Sequence, residues 1–272
     1  MARILITGAH GFIGRHLAKS LALAGNRGDW PRAWELATAS CSALGLVLLG
    51  SMARSTIPNL SLNSKSSSER VDIVIPSRGW LFSGEQQSQI PAKIFHRTVS
   101  STVELLECCA RRPQKVYWVA VSSAAVYGAG HIGQIAETAR PNPFSPYGHH
   151  KHIMESLCIS YSESYELKVV IGRLFSVYGE GLRKQLLWDV CSQLEVHPDQ
   201  ILLGGSGNEL RDWTAVTDVV RALSFIHTEA NLPPKVINIG TGRGTNVRTI
   251  VEGVGQAWAA DINLSPEIEF RF

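Results

Sequence analysis

No Cys-x-x-Cys pair occurs anywhere in this 272-residue chain. Its five cysteines, Cys41, Cys108, Cys109, Cys158 and Cys191, are an odd number without histidines at zinc-ligand spacing, which argues against both a metal finger and a disulfide scaffold. They read as reduced, mostly buried thiols of a cytoplasmic protein. Long apolar runs are also missing. The strongest, Ala43 to Leu49, falls far short of the roughly 20 residues that a membrane helix needs. Met1 leads straight into a strand-like run, leaving no place for a secretion signal. Concentrated Lys/Arg runs are absent, so the net charge of +3 gives no nucleic-acid surface, although it suits a nucleotide or phosphate ligand. Neither heptads nor internal repeats occur.

What remains is an ordinary globular composition, 44% apolar and 18% charged, with enough chain for one large α/β domain or a domain and a smaller partner. Arg3 to Thr7 is a compact apolar run that predicts a buried parallel strand. It is followed by GAHGFIGRHLAKSLALAG, where Ile13, Leu17 and Leu21 recur every four residues and Gly25 supplies a stop. Strand, glycine-rich turn and helix are the order of a dinucleotide site. Gly8, Gly11 and Gly14 allow a tight turn, close approach to a pyrophosphate and close packing of helix on strand. The spacing is G-x-x-G-x-x-G, and its position between a strand and an amphipathic helix carries the signal.

Further strands are expected at Ala33 to Thr38, Leu46 to Leu49, Val71 to Ile75 and Lys115 to Val121, with a surface loop at Ser61 to Ser68 and a helix from about Ile90 to Arg112. Such alternation predicts a parallel, doubly wound sheet. A ribose-binding acid is expected about 20 residues after the glycine turn. Asp29 and Glu35 are near that distance without clearly ending a strand, which leaves NAD and NADP open. Ser122 and Ser123 follow the Lys115 to Val121 run, on the side where ligands bind in open parallel sheets. Tyr147 opens a helix after Pro146, and Lys151 lies four residues on, on the same face. A cation there favours the phenolate and suits the pair for general acid–base chemistry. His149, His150 and His152 point in different directions without a carboxylate at ligand spacing, so no metal is expected. Trp118, Trp188 and Trp213 read as core or interface residues, and Cys108 and Cys109 as inert thiols.

The ordered motifs TGAHGFIG (Thr7 to Gly14), VSSAAVYG (Val121 to Gly128), PFSPYGHHK (Pro143 to Lys151), RLFSVYGEG (Arg173 to Gly181), GNELRDWTAVTDVVRAL (Gly207 to Leu223) and NIGTG (Asn238 to Gly242) resemble the extended short-chain dehydrogenase/reductases, in their nucleotide-sugar epimerase/dehydratase group. The resemblance implies an NAD- or NADP-binding Rossmann domain at 1–175 and 212–240. It adds a smaller, discontinuous substrate lobe at 176–211 and 241–272. Ser123 resembles the serine that bonds the reacting sugar oxygen, Tyr147 the catalytic acid/base, and Lys151 the lysine that bonds the nicotinamide ribose and lowers the tyrosine pKa. Gly8, Gly11, Phe12, Ile13 and Gly14 match the pyrophosphate loop, together with Tyr147 and Lys151 as cofactor-binding residues. Ser123, Ser176 and Arg211 are implied contacts of a nucleotide-diphosphate sugar, although Arg211 could instead pair with Asp212 or Glu209. A homodimer through paired helices is implied as well.

Some features depart from the family pattern. Ser176 stands where relatives carry asparagine, and PSRGW (Pro76 to Trp80) replaces a His-x-Ala-Ala loop. The Thr-Asp-Glu of 4,6-dehydratases is missing, and the chain ends at Phe272, as expected of a short or C-terminally incomplete member. The function so implied is a nucleotide-sugar epimerase or keto-sugar reductase. The alternative is a catalytically weakened sensor or assembly protein of the same fold.

Overall fold

The computed structural model describes residues 4–25, 46–49, 71–77, 91–114 and 116–271. The strand expected at Ala33 to Thr38, the acids Asp29 and Glu35, the loop at Ser61 to Ser68 and residues 78–80 of the PSRGW segment lie outside them. Six described strands form one sheet: β1 (Ile4–Thr7), β2 (Leu46–Leu49), β3 (Ile73–Pro76), β4 (Tyr117–Ser123), β5 (Lys168–Leu174) and β9 (Lys235–Ile239). Their order is β2-β1-β3-β4-β5-β9, and every pairing is parallel. The order reverses between β1 and β3, which makes the carboxyl ends of these strands the crevice of a doubly wound sheet.

Near-continuous apolar runs make these strands because both faces are covered by helices. On one face α1 (Phe12–Gly25) packs beside α6 (Val216–Phe225), burying Leu17, Val219 and Leu223 against Ile6, Val121 and Val170. The other face is covered by α3 (Ser101–Ala110) and α4 (Pro146–Tyr165), which bring Leu105, Leu106, Met154 and Cys158 onto Trp118 and Ile171. The helix expected from Ile90 to Arg112 is interrupted. A short α2 (Pro91–Phe95) runs through a π-helical turn (His96–Ser100) into α3. Its buried face is Val99, Thr102, Leu105, Leu106 and Cys109, with Val103 only half-buried. A π-turn shifts the helical phase, which a strict four-residue spacing cannot follow.

The smaller layers are built from the chain between β5 and β9 and from the chain after β9. β6 (Ser176–Tyr178) pairs parallel with β8 (Leu210–Ala215), which pairs antiparallel with β10 (Gly244–Asn246). β7 (Gln200–Gly204) pairs parallel with β11 (Glu267–Arg271). Two helices, α5 (Gln185–Val196) and α7 (Val247–Ile262), cover this second pair, with Val190, Leu194, Ile201, Val247 and Val251 forming a separate small core. Among the described residues no helix is long and apolar enough to cross a membrane.

Leu17 is fully buried, whereas Leu23 on the same helix is 64% exposed. Leu17→Ala is expected to lower the unfolding free energy by about 2–5 kcal/mol. Leu23→Ala should change it by no more than about 0.5 kcal/mol, both read from urea titrations.

Candidate active site

The glycine turn closes on itself. Gly8 has φ 74°, its carbonyl accepts from the Gly11 N–H at 2.8 Å, and the Arg15 N–H bonds the Gly11 carbonyl at 3.0 Å as α1 begins. A Cβ on Gly14 would stand 2.2 Å from the Gly8 oxygen and 2.7 Å from Ser77 Oγ. Two backbones and the Ser77 side chain therefore meet where only hydrogen fits. Ser77 is fixed there by donating through its N–H and its hydroxyl to the Thr7 carbonyl, at 3.0 and 2.7 Å. The unsatisfied N–H groups at the start of α1 are thereby held facing the crevice, an arrangement that fits the pyrophosphate of a dinucleotide.

β4 is one element with its serines. It runs through Ser123 rather than ending at Val121, because Ser122 and Ser123 continue the parallel ladder with Arg173 and Leu174 of β5. The Ser123 hydroxyl accepts from the Ala125 N–H at 3.2 Å and starts a 3₁₀ turn, Ala124–Val126. α4 begins by ordinary capping: Ser145 Oγ accepts the Gly148 N–H at 3.1 Å and Pro146 fills the first turn. Gly148 is a site residue that motif reading passes over. A Cβ there would meet the Ala125 carbonyl oxygen at 2.6 Å and Pro143 Cβ at 2.9 Å, so its missing side chain lets α4 approach the end of β4.

That approach brings the expected trio together. Tyr147, half-buried, stands beside Ser123, whose hydroxyl acts to lower its pKa. The Lys151 ammonium lies 5.9 Å from the centre of the Tyr147 ring and donates to the Val121 carbonyl at 2.7 Å. The expected lowering of the tyrosine pKa is reversed here. Burial raises the phenol above 10, opposed by the Ser123 hydroxyl. The same dryness acts on the lysine: burial brings Lys151 down from 10.5 to about 8, opposed by the Glu155 carboxylate and Cys158.

Behind the trio is a buried ionic network that motif reading also passed over. Arg173 grips Glu155 with two bonds, Nε to Oε1 at 3.0 Å and Nη2 to Oε2 at 2.7 Å, and Ser122 Oγ donates to Oε1 at 2.5 Å. Glu155 and Arg173 are 2% and 4% exposed. The Arg173 guanidinium also stacks 4.6 Å over Tyr127, whose hydroxyl donates to Asn238 Oδ1 at 2.6 Å. An arginine inside KVVIGRL, otherwise an apolar strand, is the sequence signal for such a pair, since a buried guanidinium requires a partner.

The substrate-side residues are less closely joined. Ser176 is half-buried at the start of β6. Arg211 is exposed on β8, opposite Thr245 of β10, and pairs with neither candidate acid. Asp212 instead accepts from Thr241 N–H, Thr241 Oγ1 and Gly242 N–H at 2.9, 2.8 and 2.7 Å, and Glu209 accepts from Ser206 at 3.1 Å. The loop after β6 is fixed to the cofactor side: Arg15 Nη2 and His16 Nε2 reach the Glu180 carbonyl at 3.2 and 3.0 Å. Among the described residues no group of three His, Cys, Asp or Glu side chains could hold a metal. Trp118 is fully buried, Trp188 partly exposed and Trp213 half-buried.

A family model of the NAD dependent epimerase/dehydratase family matches residues 4–240, and the chain belongs to that family. It is 29% identical to UDP-glucose 4-epimerase 2 of Oryza sativa subsp. japonica over 96% of this chain and 71% of the relative. To an uncharacterized UDP-glucose epimerase of Bacillus subtilis it is 28% identical, spanning 48% of that protein's length. Among solved structures it is similar to the UDP-glucuronic acid 4-epimerase from Bacillus cereus with UDP-glucuronic acid and NAD. That likeness has 25% identity and a TM-score of 0.75 and covers 98% of this chain and 85% of that one. MoeE5 with UDP-glucose and NAD gives 28% identity, a TM-score of 0.74, and coverage of 99% and 85%.

Gly14→Ala should cost about 1–3 kcal/mol of stability and abolish saturable quenching of protein fluorescence by NAD. A second expectation concerns Lys151. Its depressed pKa corresponds to roughly 3 kcal/mol of destabilisation. Below pH 8 both folded and unfolded chains carry the proton and the full cost stands. Between about 8 and 10.5 the folded chain has released the proton first and the cost fades. Losing the donor to Val121 subtracts about 1 kcal/mol, so Lys151→Met should be about 2 kcal/mol more stable than wild type at pH 7, with a smaller gain at pH 10 in urea titrations.

Proposed function

We propose that this protein is an NAD-dependent nucleotide-sugar 4-epimerase. The observation that carries the reading is the convergence of Ser123, Tyr147 and Lys151 at the carboxyl end of β4, beside the closed glycine turn of β1 and α1. Support comes from relatives named as UDP-sugar 4-epimerases and from structural neighbours holding NAD with UDP-glucose or UDP-glucuronic acid. These favour NAD over NADP and epimerisation over net reduction.

In this reading Gly8, Gly11, Phe12, Ile13 and Gly14 hold the pyrophosphate, and Lys151 and Tyr147 face the nicotinamide ribose. When bound, NAD supplies the acceptor and donor of hydride at the sugar carbon. Ser123 holds the sugar oxygen by hydrogen bonding, and Tyr147 removes the hydroxyl proton and later returns it to the ketone oxygen. The Ser123 hydroxyl favours the phenolate. Exposed Arg211 offers a planar, bidentate donor to the diphosphate, and Ser176 lies nearby in sequence order on β6. The Rossmann domain comprises 1–175 and 212–240, with the substrate lobe at 176–211 and 241–272. The protein acts in the cytoplasm as a homodimer through α3 and α4, where Ile153 and Tyr165 expose apolar surface; sedimentation would show the dimer.

Purified protein given UDP-glucose, UDP-glucuronic acid and UDP-arabinose in turn should form the 4-epimer of at least one, with no net change in absorbance at the NADH wavelength. Stoichiometric loss of NADH with a keto sugar would instead make it a reductase. Tyr147→Phe should lower kcat by about 10²–10⁴-fold while leaving NAD binding measurable.

A further inference from the structure

Lys151 is almost fully enclosed, and its turn of α4 has one acidic side chain, Glu155, four residues on and on the same helical face. Glu155 is not free to rotate. Arg173 from β5 holds both its oxygens and Ser122 from β4 bonds one of them. Ser122 and Arg173 are themselves register partners in the β4–β5 ladder. One carboxylate therefore ties α4 across the ends of two central strands, one residue before Ser123 and one turn after Lys151. Lys151 in turn bonds the Val121 carbonyl, the residue preceding Ser122.

We propose that Glu155 is a positioning residue for the reaction: clamped by Arg173 and Ser122, it sets the Lys151 turn against the end of β4 and supplies the buried negative charge that the ammonium requires. This rests on the proposed role of Lys151 toward NAD. The surrounding charges agree with it. From its own helix Lys151 faces Glu155, Cys158 and Tyr147. Burial pushes the Cys158 thiol up to about 12 and keeps it neutral at pH 7, and the same burial raises the Tyr147 phenol. From β5 comes Arg173, already engaged. The helix pair packed on α4 carries His96, Arg97, Glu104, Glu107 and Cys109, of which Glu107 is bonded to Tyr161, farther along α4, and to Arg111 at the end of α3. Glu155 is thus the acid coupled to the lysine, and with burial it leaves Lys151 at about 8, a value close enough to neutrality for the loss of one countercharge to be felt.

The test is the titration of Lys151 by NMR of protein labelled at lysine ¹³Cε, its signal identified by its loss in Lys151→Met, alongside NAD affinity from pH 6 to 9. Neither readout needs turnover, so a protein without epimerase activity would count against the proposed reaction and leave this test intact. Glu155→Gln should move the Lys151 midpoint below that of wild type. For a one-unit drop NAD binding weakens about fivefold at pH 8 and stays near wild type at pH 6. Glu155→Asp, which keeps the charge, should restore most of the midpoint. A weakened NAD affinity that is uniform across pH with an unmoved midpoint would show a merely structural residue and overturn the proposal. If Glu155→Gln does not fold, the apolar pair Glu155→Leu/Arg173→Met provides a second test, since buried ion pairs are often replaceable by apolar residues. Its Lys151 midpoint must also fall, and an unmoved one overturns the proposal.

Discussion

Everything about this crevice depends on keeping an ammonium in a dry place. Lys151 is 4% exposed, and an isolated charge so placed would shed its proton. The surrounding structure answers with the Val121 carbonyl of the strand, which accepts from the ammonium, and with the clamped Glu155 one turn on along α4. Each fixes a different element, so the arrangement that keeps Lys151 charged also sets where α4 meets β4. Tyr147 and Ser123 are brought together by the same contact. The result is a site whose electrostatics and geometry cannot be adjusted separately.

The large sheet is legible in the sequence because both-face burial leaves uninterrupted apolar runs, and β1, β3 and β4 are found within a few residues of their expected places. The errors have local causes. β4 extends over Ser122 and Ser123 because their backbones pair with β5 although their side chains are polar. The helix after Pro91 loses its simple period at the π-turn. The small sheets of the carboxyl-terminal half escape periodicity altogether, since three-residue strands such as β6 and β10 are shorter than any pattern.

At the site, motif order identifies the trio and the glycine turn, whereas the environment of the trio needs coordinates. That Tyr147 is pushed upward rather than downward follows from burial, which a one-dimensional reading cannot weigh against a neighbouring charge. Glu155 and Arg173 are eighteen residues apart, and Glu155 lies outside every quoted motif, so their pairing is visible only once α4 lies on the sheet. The indifference of Asp212 to Arg211 is similar: its carboxylate is taken up by the turn at Thr241 and Gly242.

Gly148 ties these points together. Because its absent side chain leaves α4 and the Ala125 carbonyl in van der Waals range, the gap between the serine and the tyrosine is gauged by a single hydrogen atom. Widening that gap requires no change in either side chain. The spacing of the trio is therefore inherited from the backbone, and a chain could keep all three motif residues intact while losing the distance between them.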